Sequence, residues 1–165
     1  MTQPELVGPV ENAVGYVLKE AAVALRAALD AVLRPLDLTV SQYACLELLG
    51  QRPGLSNADL ARGTFVTRQS MNVVLQGLQA RGLVTRPATA ARGRELPAVL
   101  TEEGRRQLLA TSAAVRSVEK RMCAGLSADQ QQVLLETLAA CVRNLTAGVQ
   151  PSSDGTAEAN ALPGS

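Results

Sequence analysis

Along most of this chain apolar residues recur three and four positions apart. The runs are cut at Pro35, Pro53-Gly54, Gly63, Gly82 and Gly125. That spacing lays one apolar stripe along a helix, and proline and glycine are the residues that stop one. The chain is therefore confined to a series of helices whose lengths the breakers set. Residues 10–34 read as a long helix with Val14, Val17, Leu18, Ala21, Leu25, Ala28, Leu29 and Val32 in its stripe. A second helix begins at Thr39 or Ser41, carries Tyr43, Ala44, Leu46, Leu48 and Leu49, and ends before Pro53-Gly54.

A shorter helix starts at Ser56 or Asn57 and ends at Gly63, which has the place of a C-terminal glycine. After Thr64, Phe65 and Val66, a further helix starts with Thr67 as its N-cap and closes at Gly82, its inner face being Met71, Val74, Leu75 and Leu78. This is the length and punctuation of a helix-turn-helix. Two strands fit next, Leu83–Arg86 and Arg94–Leu100, the second alternating at Leu96, Ala98 and Leu100. Pro97 makes the second an expected edge strand, and the small, basic residues Pro87–Gly93 form a projecting loop. Thr101 caps a long helix with Glu102 and Glu103 in its first turn, where the helix dipole favours acids. It runs to about Cys123, and Ser127 caps a last helix with Val133, Leu134, Leu138, Val142 and Leu145. The fold class expected is mainly α with a small β-wing. Residues 1–9 read as a flexible start. Residues 148–165 are rich in Ser, Gly, Pro and Ala and read as a disordered tail.

With 165 residues, 47% of them hydrophobic, the chain has the size of one domain with a real core. There is no His, so His-based catalytic triads and His-ligated metal sites are excluded. Three aromatics, Tyr16, Tyr43 and Phe65, are too few for a base-stacking platform on single strands. No glycine motif for a nucleotide is present, and neither an enzyme nor a cofactor is expected. The longest uncharged run, Gln69–Ala80, is short and polar, so no membrane span is expected. The start of the chain does not read as a signal peptide. Three free cysteines, Cys45, Cys123 and Cys141, fit a reducing cytoplasm and read as small buried hydrophobes.

The formal net charge of +1 hides an asymmetry. Residues 1–40 hold three basic and five acidic groups, 41–100 seven and three, and 101–165 six and seven. From Leu60 to Arg94 there are six arginines (Arg62, Arg68, Arg81, Arg86, Arg92 and Arg94) and no acid. The helix after Thr67 presents Gln69, Asn72, Val73 and Gln76 opposite its inner face. Gln and Asn pair bidentately with adenine, and Val packs on a thymine methyl. Arg68 at the helix start reaches a guanine or a phosphate. Thr67, Ser70, Arg86 and Arg92 fall to the DNA backbone, and Arg94 to a narrow minor groove, whose potential attracts arginine.

The segment NADLARGTFVTRQSMNVVLQGLQARGLVTR, the wing after it and LTEEGRR (Leu100–Arg106) resemble the MarR family of winged-helix transcription regulators. The junction Leu78-Gln79-Ala80-Arg81-Gly82-Leu83-Val84 and the Leu-Thr-Glu-Glu-Gly helix start carry most of the resemblance, which spans about residues 10–147. It implies a homodimer paired through helices at about 10–35 and 101–147, with a DNA-binding lobe at about 39–100. It implies a palindromic double-stranded DNA operator, with the wing arginine at Arg94 and the helix-start arginine at Arg68. It also implies a repressor released by a small aromatic or phenolic effector, for whose pocket Tyr16 and Tyr43 are candidates. The family's wing usually has Asp two residues before its Arg, and here that residue is Arg92. Its frequent Thr-Arg and Asp-Arg helix pairs are here Asn72-Val73 and Gln76-Gly77, which points to a different DNA sequence. The rival expectation is a winged-helix protein-interaction module that has lost DNA binding.

Overall fold

A computed structural model describes residues 8–86 and 97–147 of the chain. Helices α1 (Val14–Leu33), α2 (Val40–Gln51), α3 (Asn57–Thr64) and α4 (Arg68–Ala80) are followed by strands β1 (Val84–Thr85) and β2 (Val99–Leu100). Helices α5 (Glu102–Met122) and α6 (Ala128–Thr146) complete the order. Short 3-10 turns flank α1 at Val10–Asn12 and Arg34–Leu36, the second built around Pro35. The described chain forms two compact units, one ending at Met122 and one beginning at Cys123. The expected loop Pro87–Gly93, together with Arg94 and Leu96, lies outside the described residues, as do residues 1–7 and the expected tail at 148–165.

The helix starts follow from side-chain capping. Thr39, Ser56 and Ser127 each head a capping box, with Gln42, Asp59 and Gln130 as the reciprocal residues. In each, two otherwise orphaned amides at the helix start are satisfied. The helix ends repeat one device. After α1, α3 and α4 the chain turns through a left-handed residue, Asp37, Phe65 and Gly82. The amide after it reaches back five residues: Leu38 to the Leu33 carbonyl, Val66 to Ala61 and Leu83 to Leu78. This is the Schellman arrangement, in which glycine is the usual left-handed residue.

Gly63 therefore does not end α3. The helix runs on to Thr64 and Phe65 takes the left-handed place. Gly63 serves packing instead, since a β-carbon there would lie 2.6 Å from Leu48 Cδ1 on α2. Among the described residues the strands are shorter than the pattern predicts, and β2 is an edge of a two-stranded sheet, with one isolated bridge beside it. Val84 pairs with Leu100 and Thr85 with Val99 on one side. On the other, Ala98 bridges Leu55, its amide donating to the Leu55 carbonyl at 3.1 Å and its carbonyl accepting from the Gly54 amide at 3.1 Å. Pro97 lacks an amide, but Ala98 supplies both groups of that bridge.

The core gathers Leu33 from the end of α1, Cys45, Leu46 and Leu49 from α2, Leu60 from α3, and Met71, Leu75 and Leu78 from α4. Leu83, Val84, Ala98 and Leu100 close it from the strands. Helix α5 is locked on by its first turn. Thr101 Oγ1 donates to the Gly82 carbonyl and accepts from the Gly104 amide at 3.0 Å. Gly104 lies so close to β1 that a β-carbon would stand 1.9 Å from the Leu83 carbonyl oxygen. The Leu-Thr-Glu-Glu-Gly segment is thus a clasp between the strands and α5. The first half of the α1 stripe lacks cover within one chain: Val14, Val17, Leu18 and Ala21 are exposed, whereas Leu25, Ala28, Leu29 and Val32 are half-buried and Leu33 beside them is buried. In the second unit, α6 buries none of its side chains. Of the cysteines only Cys45 is buried; Cys123 and Cys141 are half-buried, against the expectation for all three.

Candidate nucleic-acid interface

Helix α4 is built with one face fixed and one face bare. Met71, Leu75 and Leu78 are fully buried, so its rotation about its own axis is set by the core. Opposite them Arg68, Gln69, Ser70, Asn72, Val73 and Gln76 are all exposed, and Val73 keeps 66% of its surface in solvent. No Asp or Glu occurs on this helix. The predicted base-reading residues therefore do share one outward surface.

Its start is held by four hydrogen bonds. Thr67 Oγ1 accepts from the Ser70 amide and donates to Ser70 Oγ, both at 3.0 Å. Asn57 on α3 donates from Nδ2 to Asn72 Oδ1 at 3.0 Å and to the Arg68 carbonyl at 3.3 Å. Asn57 thus ties α3 to the exposed face of α4, and Asn72 Oδ1 keeps a second lone pair for another donor. From its sequence Asn57 is a candidate only for the cap of α3. The Ser-x-x-Asp spacing at Ser56 and Asp59 already names Ser56 as the cap and frees Asn57 for this work. Hydrogen bonds from Ser56 hold the Asp59 carboxyl below its ordinary range, and nearby Arg62 adds to this.

Several arginines of the basic stretch have partners within the chain. Arg62 forms an ion pair with Asp59. Arg81 donates from Nη1 to the Asp37 carbonyl and fastens α4 to the turn after α1. Arg86 was expected on the DNA backbone, but its Nε and Nη2 are buried and have no hydrogen-bond partner among the described residues. It lies near Cys45, whose thiol burial pushes up to about 12 while Arg86 pulls the other way. Arg86 as a whole is half-buried just after β1. Arg68 is exposed at the start of α4. Arg92 and Arg94 lie outside the described residues.

The two tyrosines occupy different settings. Tyr16 is half-exposed on α1, whereas Tyr43 is part of the core. Burial pushes the Tyr43 hydroxyl above its ordinary value, against a hydrogen bond with Ser112 on α5. A surface groove of about 380 Å³ is lined by Leu48, Arg52, Leu55, Asp59, Arg62 and Gly63, and neither tyrosine borders it.

Comparison with known proteins agrees with this geometry. A model of the MarR family matches residues 36–95. The HTH-type transcriptional repressor Rv2887 of Mycobacterium tuberculosis is 46% identical over 118 residues, which is 72% of this chain and 85% of the relative. Among solved structures, Rv2887 in complex with DNA superposes with a TM-score of 0.65 at 41% identity, covering 78% of this chain and 96% of that one. The same protein with salicylic acid gives 0.66 at 41% identity, covering 82% and 99%. A MarR family regulator from Silicibacter pomeroyi gives 0.76 at 26% identity, covering 86% and 97%. Winged helix-turn-helix architecture, acid-free outward face of α4 and these likenesses agree, and the chain belongs to the MarR family.

Proposed function

We propose that this chain is a sequence-specific, double-stranded DNA-binding repressor that acts in the cytoplasm as a homodimer and is released by a small aromatic acid. It is a regulator and not an enzyme. The observation that carries the reading is α4: a helix fixed by a fully buried face that turns Arg68, Gln69, Asn72, Val73 and Gln76 outward together. These residues read base edges in the major groove, Thr67 and Ser70 set the helix start against the phosphates, and Arg92 and Arg94 serve the backbone and the minor groove from the wing. The unit comprising residues 39–100 is the reading lobe, and the helices at about 10–35 and 101–147 pair the two copies. The repressor and DNA-bound likenesses of Rv2887 support this reading.

The effector part is supported by Arg86 and by the likeness to the salicylic acid complex. Nε and Nη2 form one edge of the guanidinium fork, which matches the two oxygens of a carboxylate. Buried donors without a partner are costly, so an aromatic carboxylate that reaches them gains two charge-assisted hydrogen bonds. Tyr16 remains the accessible one of the two proposed ring contacts. Selection of bound fragments from random DNA tests the whole. A palindromic sequence is expected, with Gln69→Ala changing base preference at one position per half-site and Arg94→Ala weakening all sequences alike. Recovery of no preferred sequence would contradict the reading. Salicylate should release the selected duplex from wild type and fail to do so with Arg86→Gln. Equal release from both would remove Arg86 from the effector site.

A further inference from the structure

Phe65 pairs two costs with no return inside the chain. Its φ is +59°, in the left-handed region where a bulky side chain is an outlier. Its ring is 95% exposed, so no packing offsets that conformation. The turn itself is tightly made, with the Val66 amide on the Ala61 carbonyl at 3.0 Å and the Phe65 amide on the Arg62 carbonyl at 3.3 Å. Glycine would satisfy the same hydrogen bonds without strain. The turn fixes the backbone that carries the ring, two residues before Thr67, the cap of α4. In a helix-turn-helix the start of the second helix contacts base edges while the first crosses the backbone. A ring projecting from the turn between them is carried to the lip of the major groove.

We infer that Phe65 is a further DNA-contacting residue, its ring packing on an apolar surface of the duplex. Two surfaces offer that chemistry, a thymine C5 methyl and the face of a deoxyribose. The inference rests on the proposed DNA-binding function and adds a contact made by shape and apolar burial rather than by hydrogen bonds. The conformational cost at Phe65 is then recovered only in the complex, as for strain held at other functional sites.

The test uses the full chain and the duplex it selects from random DNA. Phe65→Gly is expected to melt at the same or a higher temperature and to bind that duplex about tenfold more weakly, the loss of a partly buried aromatic contact. Phe65→Leu should recover part of the affinity. Replacing each thymidine near the half-site edge by deoxyuridine separates the two surfaces. Weaker binding by wild type but not by Phe65→Gly assigns the methyl, and no change assigns the sugar. Wild-type affinity in Phe65→Gly would overturn the inference and leave the DNA-binding function standing. A changed sedimentation mass in that variant would overturn it by placing the ring in a protein interface. Failure of the wild type to select any duplex would overturn both.

Discussion

At the scale of single residues, two glycines on neighbouring elements behave oppositely. Gly104 meets backbone, with the Leu83 carbonyl oxygen 1.9 Å from where a β-carbon would stand. Backbone cannot swing aside as a side chain can, so Gly104→Ala should destabilise the chain by about 3 kcal/mol, the upper end for overpacking. Urea unfolding measures this, and an unchanged midpoint would contradict the close approach. Gly77, in the middle of α4, has only Gln42 Nε2 at 3.5 Å, ordinary contact. Gly77→Ala should therefore raise stability by up to about 1 kcal/mol through helix propensity. A lowered melting temperature would mean that α4 needs the missing side chain. Cys45 shows what burial does to chemistry. With its thiol pushed up to about 12 from an unfolded value near 9, the native state holds its proton more tightly than the unfolded chain. That stabilisation is complete below about pH 9 and is lost as pH rises through 9 towards 12. At pH 8 Cys45 should resist iodoacetamide in the native chain and react only in denaturant, as read by peptide mass spectrometry. Native labelling would contradict its enclosure.

At the scale of elements, the cap of α4 holds the start of the helix proposed to read DNA. Thr67→Ala removes the acceptor for the Ser70 amide. It should cost about 1 kcal/mol of stability, and it should loosen the first turn of α4. A melting temperature unaltered by Thr67→Ala would show that Asn57 alone holds the helix start. The helices were legible because periodicity, caps and breakers agree at most boundaries. Pro35, Thr39, Ser56, Thr67, Thr101 and Ser127 mark what they appear to mark. The misreading at Gly63 has a physical cause. A glycine can answer a demand for left-handed backbone or a demand for close packing, and sequence does not distinguish the two. Here α2 made the second demand through Leu48, and Phe65 accepted the first against its own preference. The bridge from Ala98 to Leu55 was not legible either, because a single pairing across more than forty residues leaves no local pattern.

At the scale of the whole molecule, apolar surface on the terminal helices calls for a partner. Val14, Val17, Leu18 and Val23 on α1, and Val133, Leu134, Leu135, Leu138, Val142 and Leu145 on α6, are exposed in one chain. Large exposed apolar faces on a soluble protein mark association sites. The chain should sediment at twice its own mass at micromolar concentration, and Leu138→Glu, placing a charge mid-way along α6, should shift it to the monomer. A monomeric wild type would contradict the dimer. The candidate site was legible as a helix face, since the core residues of α4 fix which residues look outward. It was not legible as a charge pattern. Of the six arginines, Arg62 pairs with Asp59 and Arg81 binds the Asp37 carbonyl while both stay exposed, and two nitrogens of Arg86 are enclosed. The DNA contact proposed for α4 places two such helices about 34 Å apart in a twofold dimer. Binding of the selected duplex as a function of salt, followed by fluorescence anisotropy, tests this most directly. Tight binding is expected to fall on the order of a hundredfold to a thousandfold between about 50 and 200 mM salt, while a scrambled duplex of equal length stays weak throughout. Equal affinity for both duplexes, or binding indifferent to salt, would contradict that contact.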